Sequence, residues 1–466
     1  MNSYTFLWII TTFGCLLTTG TSVHKVSTAQ ELINLFNTPT SVQDDISLMN
    51  DLDFTSTPLT FPLGTLSNGS CIPYSGKMEG NNHIIKGIYM NNTENTVYKY
   101  SALFCGLENA TVKNFVIDSS CSFTGVYAGS IAVSAIGSVT LRKITNKASV
   151  IGKRSAGGLI GTVQYNGQGN PTIAIEGCTN NGNVIGSDGV GGFIGALNNN
   201  IYTHVKISDG VNNGHITDGD DVGGCIGDIS HNTFLDVEIL SFTNNGNIEG
   251  EYSLGGIFGY LLENADIKVS ISNSINNGMI AGRYYLGGII GDLERNKNMT
   301  TTIFNTVNNG FIDGEDGDTI GGFIGDVYDT NNGTLEISNS VNDGLINSTD
   351  FVGGFCGHVD TNEESGFNFN VVIKNCMNKG SVSATDGMSC GFICVDPEYF
   401  NLVSTTVLNS VNKGRIIGMT NASGIINNVT NALNIVSMGE VNGTKDTYAF
   451  WAGSVDVFSV YALKTI

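Results

Sequence analysis

Apolar residues at helical spacing are what this chain has least of. Its best helix candidate is the single stretch Thr28 to Phe36, and only 6 prolines stand against 61 glycines in 466 residues, so the class is all-β. Basic residues are scarce as well. Lys plus Arg total 21 against 42 Asp plus Glu, a net charge of −21. A surface of that sign repels polyanions, which excludes nucleic acid as a partner and leaves too few cations to line a cleft for acidic sugars. Long apolar runs are missing too. The run from residue 6 to residue 17 is shorter than the ~20 apolar residues a bilayer span needs. Followed by small Thr18, Gly20 and Ser22, it reads as a secretory signal peptide over 1–22; an uncleaved anchor is the alternative, since no Lys or Arg precedes it. The C-terminal Val455 to Leu463 contains Asp456 and is too short for a span or a lipid-anchor tail. It reads as a closing strand.

What the chain has in abundance is repetition. Gly-Gly pairs begin at Gly157, Gly191, Gly223, Gly255, Gly287, Gly321 and Gly353, 32 or 34 residues apart, as in Val190-Gly-Gly-Phe-Ile-Gly195. A second mark, Asn-x-Gly-x-apolar, keeps step at Asn180, Asn212, Asn244, Asn276, Asn308, Asn342, Asn378 and Asn412. Ahead of it lies an alternating run such as Ile267-Lys-Val-Ser-Ile271, whose period of two reads as a strand with one face buried. Three short strands per unit, stacked ~4.8 Å apart, let each strand bond to the coil above and below. Parallel crossovers of this kind are right-handed. The fold expected is therefore a right-handed parallel β-helix. Val190, Val222, Leu254, Leu286, Ile320 and Val352 form one aliphatic core row, and Ile194, Ile226, Phe258, Ile290, Ile324 and Cys356 another. The asparagines would stack their amides as a hydrogen-bonded ladder.

These Gly-Gly-[Phe/Leu/Ile]-Ile-Gly repeats resemble the GLUG-type repeats of secreted, adhesin-like surface proteins. Asp51-Leu-Asp-Phe54, Gly76-Lys-Met-Glu-Gly-Asn-Asn-His-Ile-Ile85 and Ala110-Thr-Val-Lys-Asn-Phe115 are similar to the lead-in of such proteins. The resemblance implies a right-handed parallel β-helix with an adhesive or protease-associated surface function, and it carries no catalytic residue. The chain divides into the signal peptide, an N-terminal cap and lead-in (23–75), irregular first coils (76–150), regular repeats (151–430), and a last coil with its closing strand (431–466). Thr28 to Phe36, with Ser27 or Thr28 as N-cap and Leu32, Ile33 and Phe36 on one face, is the cap that an exposed first coil requires.

Nine cysteines remain beyond Cys15. Cys178, Cys225, Cys356 and Cys376 fall at apolar slots and read as small core residues, whereas Cys71, Cys105 and Cys121 are the expected disulfide formers. Cys390 and Cys394 replace two glycines around Gly391-Phe-Ile393, without the partners a metal site needs.

Two features offer function. Asp188, Asp220, Asp318 and Asp350 share one register before the Gly-Gly pairs, and a calcium ion between neighbouring coils would offset their repulsion; the competing reading is a hydrated acidic turn. Tyr252 and Tyr284 take that place in the middle coils and offer a stacked contact for a glycan or protein. Phe193, Ile257, Ile289, Phe323 and Phe355 alternate with the core row at Ile194. Facing outward they would make an apolar partner stripe; a bend would turn them inward instead. Asp220-Asp221 suggests glycan chemistry, but no Gly-His-Gly or Arg-x-Lys follows, and His204, His215 and His231 lie on separate elements. The function expected is adhesion or partner interaction by a secreted or cell-surface protein, without catalysis and with an extracellular protein or glycan as ligand. The alternative is a carbohydrate-active β-helix enzyme.

Overall fold

Between residues 22 and 462 the computed structural model describes all but 38–40, 94–98, 166, 168, 316–318, 361–368, 395–402, 420, 424–430, 444–445 and 449–456. The expected signal peptide lies outside the described residues.

One coil shows how the sequence folds. It runs through β1 (His204–Ser208), β2 (Val211–Asn212), β3 (Ile216–Gly219), β4 (Val222–Gly223) and β5 (Ile226–Ser230). In β1, Val205 and Ile207 point into the bore while His204, Lys206 and Ser208 point out, as the period of two requires. Each strand pairs in parallel and in register with its equivalent one coil on: Val205 with Val237, Asn212 with Asn244, Ile216 with Ile248, Val222 with Leu254, Ile226 with Phe258. Repeated along the chain, this gives a parallel β-helix of about 11 turns, with one short helix near its N-terminus.

The coil holds five strand segments rather than three. Between β1 and β2 the backbone turns left-handed at Asp209 (φ 52°), and Asn273, Asn305, Asn339, Asn375 and Asn409 repeat the turn in other coils. Asn and Asp are the non-glycine residues that tolerate this region. Gly210 follows because a Cβ there would meet the rings of Phe193 and Phe242 at 2.8 Å.

Both aliphatic rows read from the repeat are fully buried. So are Phe193, Ile257, Ile289, Phe323 and Phe355, which corrects the outward stripe: none of them is on the surface. The chain bends at Gly192-Phe193 and its equivalents, breaking the alternation, so that two consecutive side chains enter the core. Phe323 stacks on Phe355 at 4.7 Å inside the bore.

The glycines of the motif make the bend possible. A Cβ on Gly223 would lie 1.8 Å from the Ile226 carbonyl oxygen, and one on Gly227 would lie 2.3 Å from the amide nitrogen of Val190 in the coil below. The chain therefore doubles back against itself with no room for side chains.

At the N-terminus α1 (Ala29–Leu35) is capped by Thr28, whose Oγ1 accepts from the Glu31 amide, while the Ser27 amide donates back to Glu31 Oε2 at 2.7 Å. Leu32 is buried, and Ile33, Leu35 and Phe36 pack against the first coil. Cys71 and Cys105 form a disulfide as expected. Cys121 instead stays free and buried, and the second disulfide joins Cys390 to Cys394. Cys178, Cys225, Cys356 and Cys376 are free and buried in the core.

Candidate functional site

Where the chain doubles back, the turn before each Gly-Gly pair stands as a wall beside the outer face of the β5 sheet. The residue that follows the third glycine of the motif points outward from that sheet. In register from the first coils upward this row reads Gly106, Ser134, Thr162, Ala196, Asp228, Tyr260, Asp292, Asp326, His358. The wall beside it carries Asp221, Ser253, Tyr285, Thr319 and Phe351, each just before an aliphatic core residue.

The upper half of this row is a chain of enclosed acids. Asp228, Asp292 and Asp326 are 8%, 2% and 4% exposed. His358 Nδ1 lies 2.9 Å from Asp326 Oδ1, and its ring packs 5.1 Å from Phe351 on the wall. Ser230 donates to Asp228 Oδ2 at 3.0 Å, and Tyr260 donates to Glu294, which also pairs with Arg295. Asp228 Oδ1 and Asp292 Oδ1 have no hydrogen-bond partner among the described residues. Burial without compensation disfavours the charged form. It pushes Asp292 well above the usual carboxylate range, helped by the nearby charges of Asp326, Glu294 and Asp221. It raises Asp221 to about 8, with Asp228, Asp188 and Asp220 adding repulsion. Asp228 rises to about 6, again chiefly through burial, and the Ser230 hydroxyl holds it lower than it would otherwise be.

The lower half is open. Gly106, Ser134, Thr162 and Ala196 are small, and a groove of about 520 Å³ lies over Ser134 and Thr162. Tyr100 and Tyr127 flank it on the wall side, and Thr162, Gln164, Asn198 and Asn199 on the other.

The residues picked out in the sequence are placed as follows. Asp188 and Asp220 are exposed on neighbouring coils, and Asp220 is pushed upward by partial burial and the charges of Glu251 and Asp188. Asp350 is half-buried further along, beyond Tyr252 and Tyr284, and Asp318 lies outside the described residues. Among the described residues no group of three or more His, Cys, Asp or Glu is arranged to hold a metal ion. Tyr252 and Tyr284 do stack, at 5.0 Å and 13°. Each covers one face of the other, and Tyr252 remains 39% exposed.

No family model matches the chain, and no curated protein matches it. Among solved structures it is similar to a "putative immunoglobulin A1 protease from Bacteroides ovatus", at 17% identity over 61% of this chain and 77% of that one, with a TM-score of 0.38. Likeness of that degree carries no inference about function. Among the described residues no helix is long and apolar enough to cross a membrane.

Proposed function

We propose that this chain is a secreted or cell-surface β-helical repeat protein that acts in adhesion or partner interaction through the side of the helix, without catalysis. The observation that carries the reading is the split character of the outer row. Where the groove is open, none of the described residues lining it is an acid or a base. Where the acids are, the row is closed: a polymer could not reach Asp292 or Asp326 unless the wall turn moved. Recognition by a preformed surface needs only the first half. A glycan array run beside a polysaccharide-cleavage assay tests it; binding without cleavage is the expected outcome, and cleavage lost in Asp292→Asn or Asp326→Asn protein would overturn it.

One observation favours the alternative, a carbohydrate-active enzyme. Asp292 and Asp326 are register neighbours on adjacent coils, Asp292 pushed well above the usual carboxylate range by burial and Asp326 bonded to a histidine, and a pair of neighbouring carboxyls is what glycoside hydrolysis uses. The same assay decides between them. Calcium between the carboxylates of Asp188 and Asp220 stays part of the proposal, as an ion that would relieve their repulsion rather than a cofactor.

A further inference from the structure

We propose that the groove over the first coils is a binding site for a neutral oligosaccharide, an assignment that rests on the non-catalytic interaction reading above. The groove exists because of a change in one row of side chains. From Asp228 onward the outward position is filled by acids, tyrosine and histidine, whereas the small Ser134 and Thr162 leave room above it. The lining runs from Cys105 through Ser134 and Thr162 to Asn198, three coil steps or roughly 14 Å at the ~4.8 Å strand spacing, which suits an extended ligand lying along the axis.

The lining selects the chemistry. Tyr100 and Tyr127 lie 6.1 Å apart with their rings tilted by 41°, so neither covers the other's face as Tyr252 and Tyr284 do. An uncovered tyrosine face is an apolar platform for the C–H surface of a pyranose ring. Arg154 donates to Tyr127 Oη at 3.2 Å and holds that ring in place. Across the groove Ser134, Thr162, Gln164 and Asn198 offer hydroxyls and amides, groups that both donate and accept and so match sugar hydroxyls. No charged residue occurs among the described lining residues, in a chain of net charge −21. A uronate or sulfated sugar would be repelled by the surrounding field, and the cation beside the lining, Arg154, is engaged with the Tyr127 hydroxyl. The Cys71–Cys105 disulfide borders the groove and fixes that rim, so binding would cost little ordering of the protein.

The test uses the full chain on an array of cello-, manno- and malto-oligosaccharides beside oligogalacturonates. Retention of one or more neutral series and not of the uronates is expected. Tyr127→Ala, which removes the platform, and Thr162→Phe, which fills the floor, should each weaken binding about tenfold or more, the usual loss for a central aromatic anchor. Phe304→Ser, on an exposed position of the β1 sheet, should leave binding unchanged. Neutral-glycan binding that survives both groove variants, with their melting unchanged, overturns the groove assignment and leaves the interaction reading standing. Preference for uronates also overturns the assignment. Retention on no glycan and on no extracellular-matrix protein overturns both.

Discussion

Asn212 and Asn244 face each other across one coil step inside the core, with Asn212 Nδ2 donating to Asn244 Oδ1 at 2.8 Å. Asn244 passes the same bond to Asn276 and also donates to the Gly246 carbonyl, and the ladder runs unbroken from Asn146 to Asn412. A primary amide carries donors and an acceptor on one planar group, so identical residues satisfy each other in a dry interior. Asn244→Ala removes three buried hydrogen bonds at once and strands the Gly246 oxygen. A loss of about 2 to 4 kcal/mol in denaturant unfolding is expected. Asn244→Asp should be no better, since it keeps the acceptor but buries a charge.

The glycine rows make a sharper prediction. A Cβ on Gly255 would stand 1.8 Å from the Phe258 carbonyl oxygen and 2.7 Å from the Gly291 amide nitrogen, both backbone atoms that cannot rotate away. Gly255→Ala should therefore open the doubled-back turn and cost more than about 4 kcal/mol, or prevent folding. Gly177→Ala is the control. Its φ is 58° but the nearest atom to its Cβ, Lys143 Cγ, is 3.7 Å away, so only the left-handed backbone penalty of about 1 to 2 kcal/mol applies. Equal midpoints for the two variants in urea would refute the steric account.

Much of this architecture was legible because equal registers become neighbours in space. The Asn row and both aliphatic rows could be read from spacing alone, while the N-cap was narrowed only to Ser27 or Thr28, and the structure places it at Thr28. The enclosed acids could not. Ala196, Asp228, Tyr260, Asp292, Asp326 and His358 differ in chemistry from coil to coil, so the row carries no repeated letter, and only knowledge that the preceding glycine packs against backbone reveals that the position faces a wall. A second buried ladder, Asn200 to Asn232 to Asn264 to Asn296, did keep the 32-residue stride and was readable; it was hidden by the many asparagines around it. The orientation of Phe193 and its equivalents was undecidable from alternation, because the bend at Gly192 depends on close backbone approach rather than on period.

Calcium at the acidic turn is checked by melting with and without a chelator. If an ion bridges Asp188 and Asp220, chelation lowers the melting temperature and Asp188→Asn abolishes the effect. Melting that is identical in the two conditions removes the ion from the account.

The enclosed acids predict an unusual pH dependence. Asp221, Asp228 and Asp292 all have folded-state pKa values above the ordinary carboxylate value of 3.8. The folded protein thus keeps protons that the unfolded chain has already released, and stability must fall as pH rises. The contribution is complete below about pH 4. It is lost up to about pH 6 as Asp228 titrates and up to about pH 8 as Asp221 does. At the acid end exposed Asp53, lowered to about 2 by its bonds to Thr55 and then Lys86, acts in the opposite sense and loses its contribution as pH drops below 4. The melting temperature should therefore peak in mildly acidic solution and decline toward pH 8. General repulsion in a chain of charge −21 would slope the same way, so the decisive comparison is between two one-charge removals. Asp221→Asn should raise the melting temperature at pH 8 and change little at pH 4.5, while Glu249→Gln, at an exposed strand position, should give only a small shift. If both substitutions shift the curve equally at pH 8, the decline belongs to net charge and not to the acids where the row meets the wall.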